Sequence, residues 1–268
     1  MVVHTAAPLA GAVPPPDRVW YASYGSNMHL DRLAAYLAGG TPPGATRTYP
    51  GCRDHRAPER SIAVELDGCL YFATESPVWT GGRAFYDPTA PGRTRARAHL
   101  LTTGQLSDIA AQEMYAPPGT DLDLTATLRD GRDALGPGRY ETLICPGAIE
   151  GIPVVTFTAP WTLQDVEVRP PSAPYLRYLA GGLLESGPWQ HHDIATYLAT
   201  RPGAATTWTP SKVHTLLTTR QPGSRTRGDD SGRGPGVTGS GWGWPGARSG
   251  WGWGLWCGGG RPGPGLPW

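Results

Sequence analysis

Net charge is almost absent from this sequence: 23 Lys and Arg residues against 22 Asp and Glu leave +1 over 268 residues. That excludes a generally acidic or basic surface and gives no reason to expect nucleic acid or a membrane as a partner. Phenylalanine is scarce, at 3, whereas 38 glycines and 29 prolines are unevenly spread, so the folded part is expected to be shorter than the chain. The cysteines, Cys52, Cys69, Cys145 and Cys257, show no CxxC spacing. This removes a zinc ribbon and a redox dithiol and leaves reduced thiols in a cytoplasmic protein. The opening MVVHTAAPLAGAVPPPDR has neither a basic head nor a long apolar run, so it reads as a flexible arm over residues 1–17 rather than a signal peptide or a span.

At the other end, residues 220–268 hold arginine, glycine, proline and tryptophan with hardly an aliphatic side chain. Such a segment buries no core and is expected to be disordered. Arginine and glycine beside tryptophan suit stacking on single-stranded RNA, but composition alone does not require it. Residues 18–219 then form the folded domain.

Within that domain VWYASY is β-branched, aromatic and small, a buried strand. MHLDRLAAYLAGG follows as a helix, with Leu30, Leu33, Ala34 and Leu37 on one face and Gly39 and Gly40 as its stop. SIAVEL and CLYFAT flank Asp67 and Gly68, the dipeptide of a tight hairpin. RARAHLLTT is a strand and QLSDIAAQEMY a helix; ETLICP and PVVTFTAP are a further pair of strands, and helices are expected at SAPYLRYLAGGLLES, HHDIATYLAT and PSKVHTLLTT. Hairpins with helices between them argue for an α+β fold with a mixed or closed antiparallel sheet.

Two places carry candidate chemistry. Leu106, Ile109, Ala110 and Glu113 fall at i, i+3, i+4 and i+7, so Glu113 takes the next position on the interior stripe. Burial without a partner would tighten its hold on a proton and make it a shuttle usable near neutral pH; the alternative is a glutamate past the last buried turn, solvated or paired with arginine. A strand ending in Gly-Ser-Asn and running into a helix offers free backbone N–H groups to a carboxylate or carbonyl oxygen. Gly25 would permit the turn, Asn27 would cap the helix and Ser26 would add a donor, as at many strand-to-helix corners. Arg53, Arg56 and Arg60 either meet a substrate carboxylate or lie on a solvated loop. His191, His192 and Asp193 lack metal-ligand spacing and read as first-turn or capping residues; His55 and His99 have no evident catalytic partner. Ser26 lacks a GxSxG setting and reads as a donor, not a nucleophile.

With WYASYGSN, SPVWTGGRAFYD, QEMY and PPSAPYLRYLAGGLLESG in this order over residues 19 to 190, the chain resembles the γ-glutamylcyclotransferase-like superfamily. These stretches are similar to the family's YGSN loop, its W-x-GG stretch, its catalytic acid and its P-S-x-x-Y segment. The resemblance implies a partly closed β-barrel with surrounding helices and a chemistry needing no metal or cofactor. It implies a γ-glutamyl small molecule as substrate, cyclised to 5-oxoproline with release of an amine. It assigns the acid-base role to Glu113 and substrate-binding roles to Tyr24, Gly25, Ser26, Asn27, Gly81, Gly82 and Tyr175. The segment APPGTDLDLTATLRDGRDALGPG is longer than the compact family pattern, and YPGCRDHRAPERS matches no family role. Alternatives are a binding protein on the same fold, for a small molecule or RNA, and a metal-independent acyl transferase or amide hydrolase.

Overall fold

A computed structural model describes residues 2–9, 16–42 and 47–219; the tail expected at 220–268, with Cys257, lies outside the described residues. The strand read from VWYASY is β2 (Arg18–Ser23). Its side chains alternate, Trp20 and Ala22 joining one apolar cluster and Val19 and Tyr21 another. Period-two alternation with both faces buried makes it an interior strand.

Around it runs a seven-stranded sheet. From edge to edge its strands are β1 (His4–Thr5), β3 (Arg60–Asp67), β6 (Arg93–Thr102), β2, β9 (Ile152–Thr158), β8 (Thr142–Ile149) and β7 (Arg132–Ala134). The pairs β1–β3 and β2–β9 are parallel and the other pairs antiparallel, so the sheet is mixed, and it curls into a half-barrel. Strands β4 (Cys69–Ala73) and β5 (Arg83–Asp87) pair in a second, two-stranded sheet.

The expected Asp67–Gly68 hairpin does not form: β3 pairs with β6, β4 with β5, and the chain changes sheets at Gly68. Gly68 has φ +118, and a Cβ there would lie 2.5 Å from the Asp87 carbonyl oxygen, so the glycine serves a crossover rather than a turn. Nor is the opening segment wholly a loose arm. His4 and Thr5 pair with Val64 and Glu65, and Ala7 exchanges backbone hydrogen bonds with Ala148.

Helices α1 (Leu30–Ala38) and α2 (Thr103–Glu113) cover one face of the sheet, with Leu33, Tyr36, Leu106 and Ile109 packed against Val19, Tyr21 and Val155. On the other face lie α4 (Ala173–Ser186), α5 (His191–Ala199) and α6 (Pro210–Thr218), with Leu176, Leu183, Ile194 and Val213 against Trp20, Val64 and Phe72. The start of α2 is fixed by Thr102 and Gln105, each side chain bonding the other's backbone N–H. The predicted inner face of α1 is rotated: Leu30 is 41% exposed and Ala34 is exposed, while Arg32, at 4%, turns inward with Leu33, Tyr36 and Leu37. The long segment after α2 contains α3 (Thr125–Asp130) and β7. Its beginning is tied to α2 through buried Asp108, which accepts from Gly119 N at 3.1 Å and pairs with Arg53. No helix among the described residues is long and apolar enough to cross a membrane.

Helix α4 supports the loop between β2 and α1 at one point of close approach. A Cβ on Gly182 would lie 2.5 Å from Met28 Cβ and 2.8 Å from His29 N. Gly182→Ala is therefore expected to lower stability by about 1–3 kcal/mol, read from the urea midpoint; an unchanged midpoint would mean that the loop yields to α4 without cost.

Candidate active site

Beyond Ser23 the chain passes through Tyr24 and Gly25 into a 3₁₀ turn, Ser26–Met28, and then α1. The carbonyls of Gly25, Ser26, Asn27 and Met28 are all engaged. Gly25 O accepts from Met28 N and Ser26 O from His29 N, both at 3.1 Å. Asn27 O accepts from His99 Nε2 at 3.2 Å, and Met28 O from Arg97 Nη1 at 3.1 Å. The leading N–H groups of such a turn have no partner within it, and those of Ser26 and Asn27 have none elsewhere among the described residues.

His99 is fully buried, and burial, with the charge of Arg97 adding to it, pushes its imidazole down to about 3. The ring is neutral at physiological pH. A carbonyl can only accept, so the proton sits on Nε2 and Nδ1 accepts from the Ser61 hydroxyl at 2.8 Å. Arg97 is held in turn by Glu185, which also accepts from Leu30 N at 3.0 Å.

Two roles expected of the loop change. Gly25 has φ −110 and ψ −151, so no left-handed geometry calls for glycine; a Cβ there would stand 3.6 Å from Tyr175 Oη, and its absence leaves that space open. Asn27 does not cap α1, whose N-cap is His29. Its side chain reaches across instead, Nδ2 donating to Glu113 Oε1 at 3.1 Å and to Tyr21 Oη at 3.3 Å, while Oδ1 is buried without a partner. No side-chain hydrogen bond of Ser26 occurs among the described residues.

Glu113 ends α2. Leu106, Ile109 and Ala110 are each 0% exposed, and the stripe they make carries the carboxylate into a cavity of about 90 Å³. Glu113 is half-buried and hydrogen-bonded to Asn27, which is neither the partnerless buried acid nor the arginine-paired one that the sequence left open. It is the one carboxylate among the described residues of the cavity wall. Tyr21, Tyr36, Tyr140 and Tyr175 surround it, their phenols raised first by burial and further by the Glu113 charge, Tyr175 to about 12. They therefore stay protonated and act as neutral hydrogen-bonding groups.

Tyr24 and Tyr175 line the cavity. The Tyr24 hydroxyl donates to Phe157 O at 2.8 Å, whereas Tyr175 Oη accepts from Ala84 N at 3.2 Å and keeps its proton to donate. Trp79 stacks on the Tyr175 ring at 5.5 Å. Gly81 and Gly82 stand outside the wall, between the lining residues Trp79 and Arg83. A Cβ on either would meet backbone, 2.6 Å from Pro170 O for Gly81 and 2.2 Å from Arg169 O for Gly82, so they dock this loop against residues 169–171.

None of the three arginines considered for a substrate carboxylate lines the cavity: Arg53 pairs with Asp108 and Asp121, Arg56 with Asp54 and Arg60 with Glu150. The arginines that do are Arg32, Arg47 and Arg83, which the sequence did not single out. Arg32 sits four residues before Tyr36 on α1, and a reading that scores only apolar periodicity discards a charge at that position. His191 and Asp193 occupy the first turn of α5, where Asp193 accepts from Gln190 N at 3.2 Å. Among the described residues no group of three His, Cys, Asp or Glu is placed to hold a metal, and Cys52, Cys69 and Cys145 are free thiols.

No family model matches the chain. Histone deacetylase 5 of Arabidopsis thaliana is 31% identical over 200 residues, covering 67% of this chain and 30% of that protein. The chain thus spans about 30% of the length of the curated relative it matches. Among solved structures, the chain is similar to the human protein loc79017, with 16% identity, 76% of this chain and 100% of that one covered, and a TM-score of 0.43. It is similar to a γ-glutamyl cyclotransferase with 17% identity, 75% and 98% coverage and a TM-score of 0.43. YkqA from Bacillus subtilis gives 16% identity, 70% and 56% coverage and a TM-score of 0.39.

The neutral His99 beneath the loop makes stability depend on pH. Its folded pKa, about 3, lies below the ordinary 6.5, so only the unfolded chain takes up this proton between those values. The contribution is fully present above 6.5 and is lost as pH falls toward 3. Between pH 7 and pH 5 it amounts to about 2 kcal/mol. Urea midpoints at pH 5, 6 and 7 are expected to fall more steeply for the wild type than for His99→Gln; parallel profiles would refute this placement of the proton.

Proposed function

We propose that the chain is a γ-glutamylcyclotransferase-like enzyme, which closes a γ-glutamyl amine or γ-glutamyl amino acid to 5-oxoproline and releases an amine. The observation that carries this reading is the 3.1 Å hydrogen bond between Asn27 and Glu113. It joins the cavity's acid to the loop whose Ser26 and Asn27 N–H groups are unengaged. The motifs WYASYGSN, W-x-GG, QEMY and P-S-x-x-Y, in that order, support it from the sequence. The catalytic domain of this reading is residues 18–219, and the free thiols fit a reducing, cytoplasmic setting.

In the reaction the substrate's α-ammonium gives a proton to the Glu113 carboxylate, and the amine so formed attacks the γ-carbonyl carbon. One C–N bond forms and closes a five-membered ring; the γ-amide C–N bond breaks. Of the three ammonium protons one stays on the ring nitrogen, and two end on the leaving amine, carried one at a time by Glu113. Atoms and charge balance without water, metal or redox partner. The N–H groups of Ser26 and Asn27 receive the carbonyl oxygen as it gains negative charge. Attack within one molecule requires no protein nucleophile, and the cavity's main task is to hold the chain folded on itself. Tyr24 and Tyr175 line that space, and the missing side chain of Gly25 widens it.

The test is incubation with γ-glutamyl amines, γ-glutamyl amino acids and glutathione, with 5-oxoproline detected by mass spectrometry. The wild type is expected to release it from at least one, and Glu113→Gln to lower kcat by about 10²- to 10⁴-fold while retaining affinity for the same compound. A wild type that binds these compounds and converts none is a binding protein on this fold. A Glu113→Gln enzyme of undiminished kcat removes the carboxylate from the mechanism.

A further inference from the structure

Arg32 is a charge that the protein buries without a carboxylate in contact, the Glu113 carboxylate on the same cavity wall favouring it only from beyond that range. It is 4% exposed, and no carboxylate among the described residues lies within 4.0 Å of its guanidinium. The rings of Tyr36, Tyr49 and Trp79 surround it at 5.7, 5.0 and 5.4 Å. Nη2 donates to Tyr49 Oη at 2.5 Å, whereas Nε and Nη1 are buried without an acceptor. Aromatic faces replace only part of the hydration a guanidinium gives up, and a desolvated cation without an anion is costly. The other two arginines of the wall are in a different position. Arg47 and Arg83 are only half-buried, and each gives an N–H to a backbone carbonyl, of Gln112 and Glu75 respectively.

Tyr49 extends Arg32 toward the cavity. It is 2% exposed and lines the same wall. Its oxygen accepts from Arg32 and from Tyr36, the latter at 3.4 Å. With both acceptor sites used, its own proton is left to donate, and no acceptor for it occurs among the described residues. A phenol backed by a buried cation is a strong donor to an anion.

The geometry points to Arg32 and Tyr49 as the anchor of a carboxylate on the substrate, making them the residues by which the site selects acyl donors that carry one. Resting on the reaction given above, this is the carboxylate on the carbon that bears the attacking amine. The substrate is then held at three places around that carbon: ammonium at Glu113, with the bare Oδ1 of Asn27 beside it; carboxylate at Arg32 and Tyr49; γ-carbonyl oxygen at the Ser26 and Asn27 N–H groups. Three fixed points impose the folded conformation that ring closure needs and distinguish one hand of the α-carbon from the other.

The test compares ligands with and without the carboxylate on the full chain. Binding of 5-oxoproline and of 2-pyrrolidinone, which lacks only that group, is measured by calorimetry. Turnover of an active γ-glutamyl donor and of its α-carboxamide is followed by mass spectrometry. The wild type is expected to favour the carboxylate partner of each pair by about 100-fold or more, the scale for removing one side of a desolvated charge pair. Arg32→Gln is expected to erase the preference, Arg32→Lys to restore part of it, and Tyr49→Phe to reduce it about 10-fold. A wild type that does not discriminate, or an Arg32→Gln protein that discriminates as well as wild type, overturns the inference and leaves cyclisation standing. Should Arg32→Gln not fold, the wild-type ratios and Tyr49→Phe, which removes one oxygen atom, decide the matter alone. If no donor yields 5-oxoproline but 5-oxoproline binds in an Arg32-dependent way, the anchor stands and the reaction falls.

Discussion

The site depends on where one loop sends its carbonyls. Gly25 and Ser26 spend theirs inside the 3₁₀ turn; Asn27 and Met28 spend theirs on His99 and Arg97. These two donors stand two apart on β6, so they project from the same face of one strand. Strand β6 also pairs with β2, with Ser23 opposite Arg97 and Tyr21 opposite His99. The strand that delivers the loop is therefore registered against the strand that pins it. With its carbonyls fixed on that side, the peptide units of the turn leave the N–H groups of Ser26 and Asn27 for the other. A neutral imidazole suits this duty better than a charged one, because its single N–H is committed to Asn27 and its other nitrogen is held by Ser61.

The same pinning sets the carboxylate. Asn27 lies two residues before the N-cap of α1, His29, and its side chain crosses to Glu113 while its carbonyl is held by His99. Glu113 in turn arrives there because α2 buries Leu106, Ile109 and Ala110 beneath it, and Asp108 on the same helix ties in the segment that follows. Around the carboxylate, burial keeps the tyrosine phenols protonated, so the negative charge on the wall is confined to a single residue. Positive charge is present in excess, from Arg32, Arg47 and Arg83. An occupant with its own negative charge meets a favourable field.

Much of this was legible in the sequence. The i, i+3, i+4, i+7 stripe that led to Glu113 is a statement about helix geometry, and α2 is a regular helix with a well-formed N-cap. The loop was legible through Gly-Ser-Asn and the family pattern, although the reasons attached to individual residues were not. Gly25 supplies space and not a left-handed turn, and Asn27 bonds a residue 86 positions away. Partners at such separation leave no local trace. Gly81 and Gly82 carry a signal that sequence cannot divide, since glycine marks close approach of any backbone, whether to a ligand or to residues 169–171. The Asp67–Gly68 dipeptide failed similarly: positive φ was required, but for a change of sheet. Arg32 was passed over because amphipathic reading treats charge as a sign of the outer face, and that inference holds only where nothing inside needs a charge.

Arg32 also explains why α1 accepts an unfavourable residue. Its buried face would be better served for stability by leucine or methionine, because replacing a desolvated charge with an apolar side chain of similar volume commonly leaves a fold as stable or more so. Departures of this kind, a cation without an anion in contact and an amide oxygen without a donor, are expected where a structure keeps groups ready for something that is not part of it. Here Arg32 and Asn27 line one cavity, with Glu113 between the loop and the helix that carry them. Their unmet valences differ in sign, one asking for an anion and the other for an N–H. A ligand satisfying both must present a negative group and a hydrogen-bearing nitrogen a short distance apart, as the α-carbon of a free amino acid head does. On the proposed reading, the residues that weaken the core of α1 and the loop are those that define what the cavity accepts.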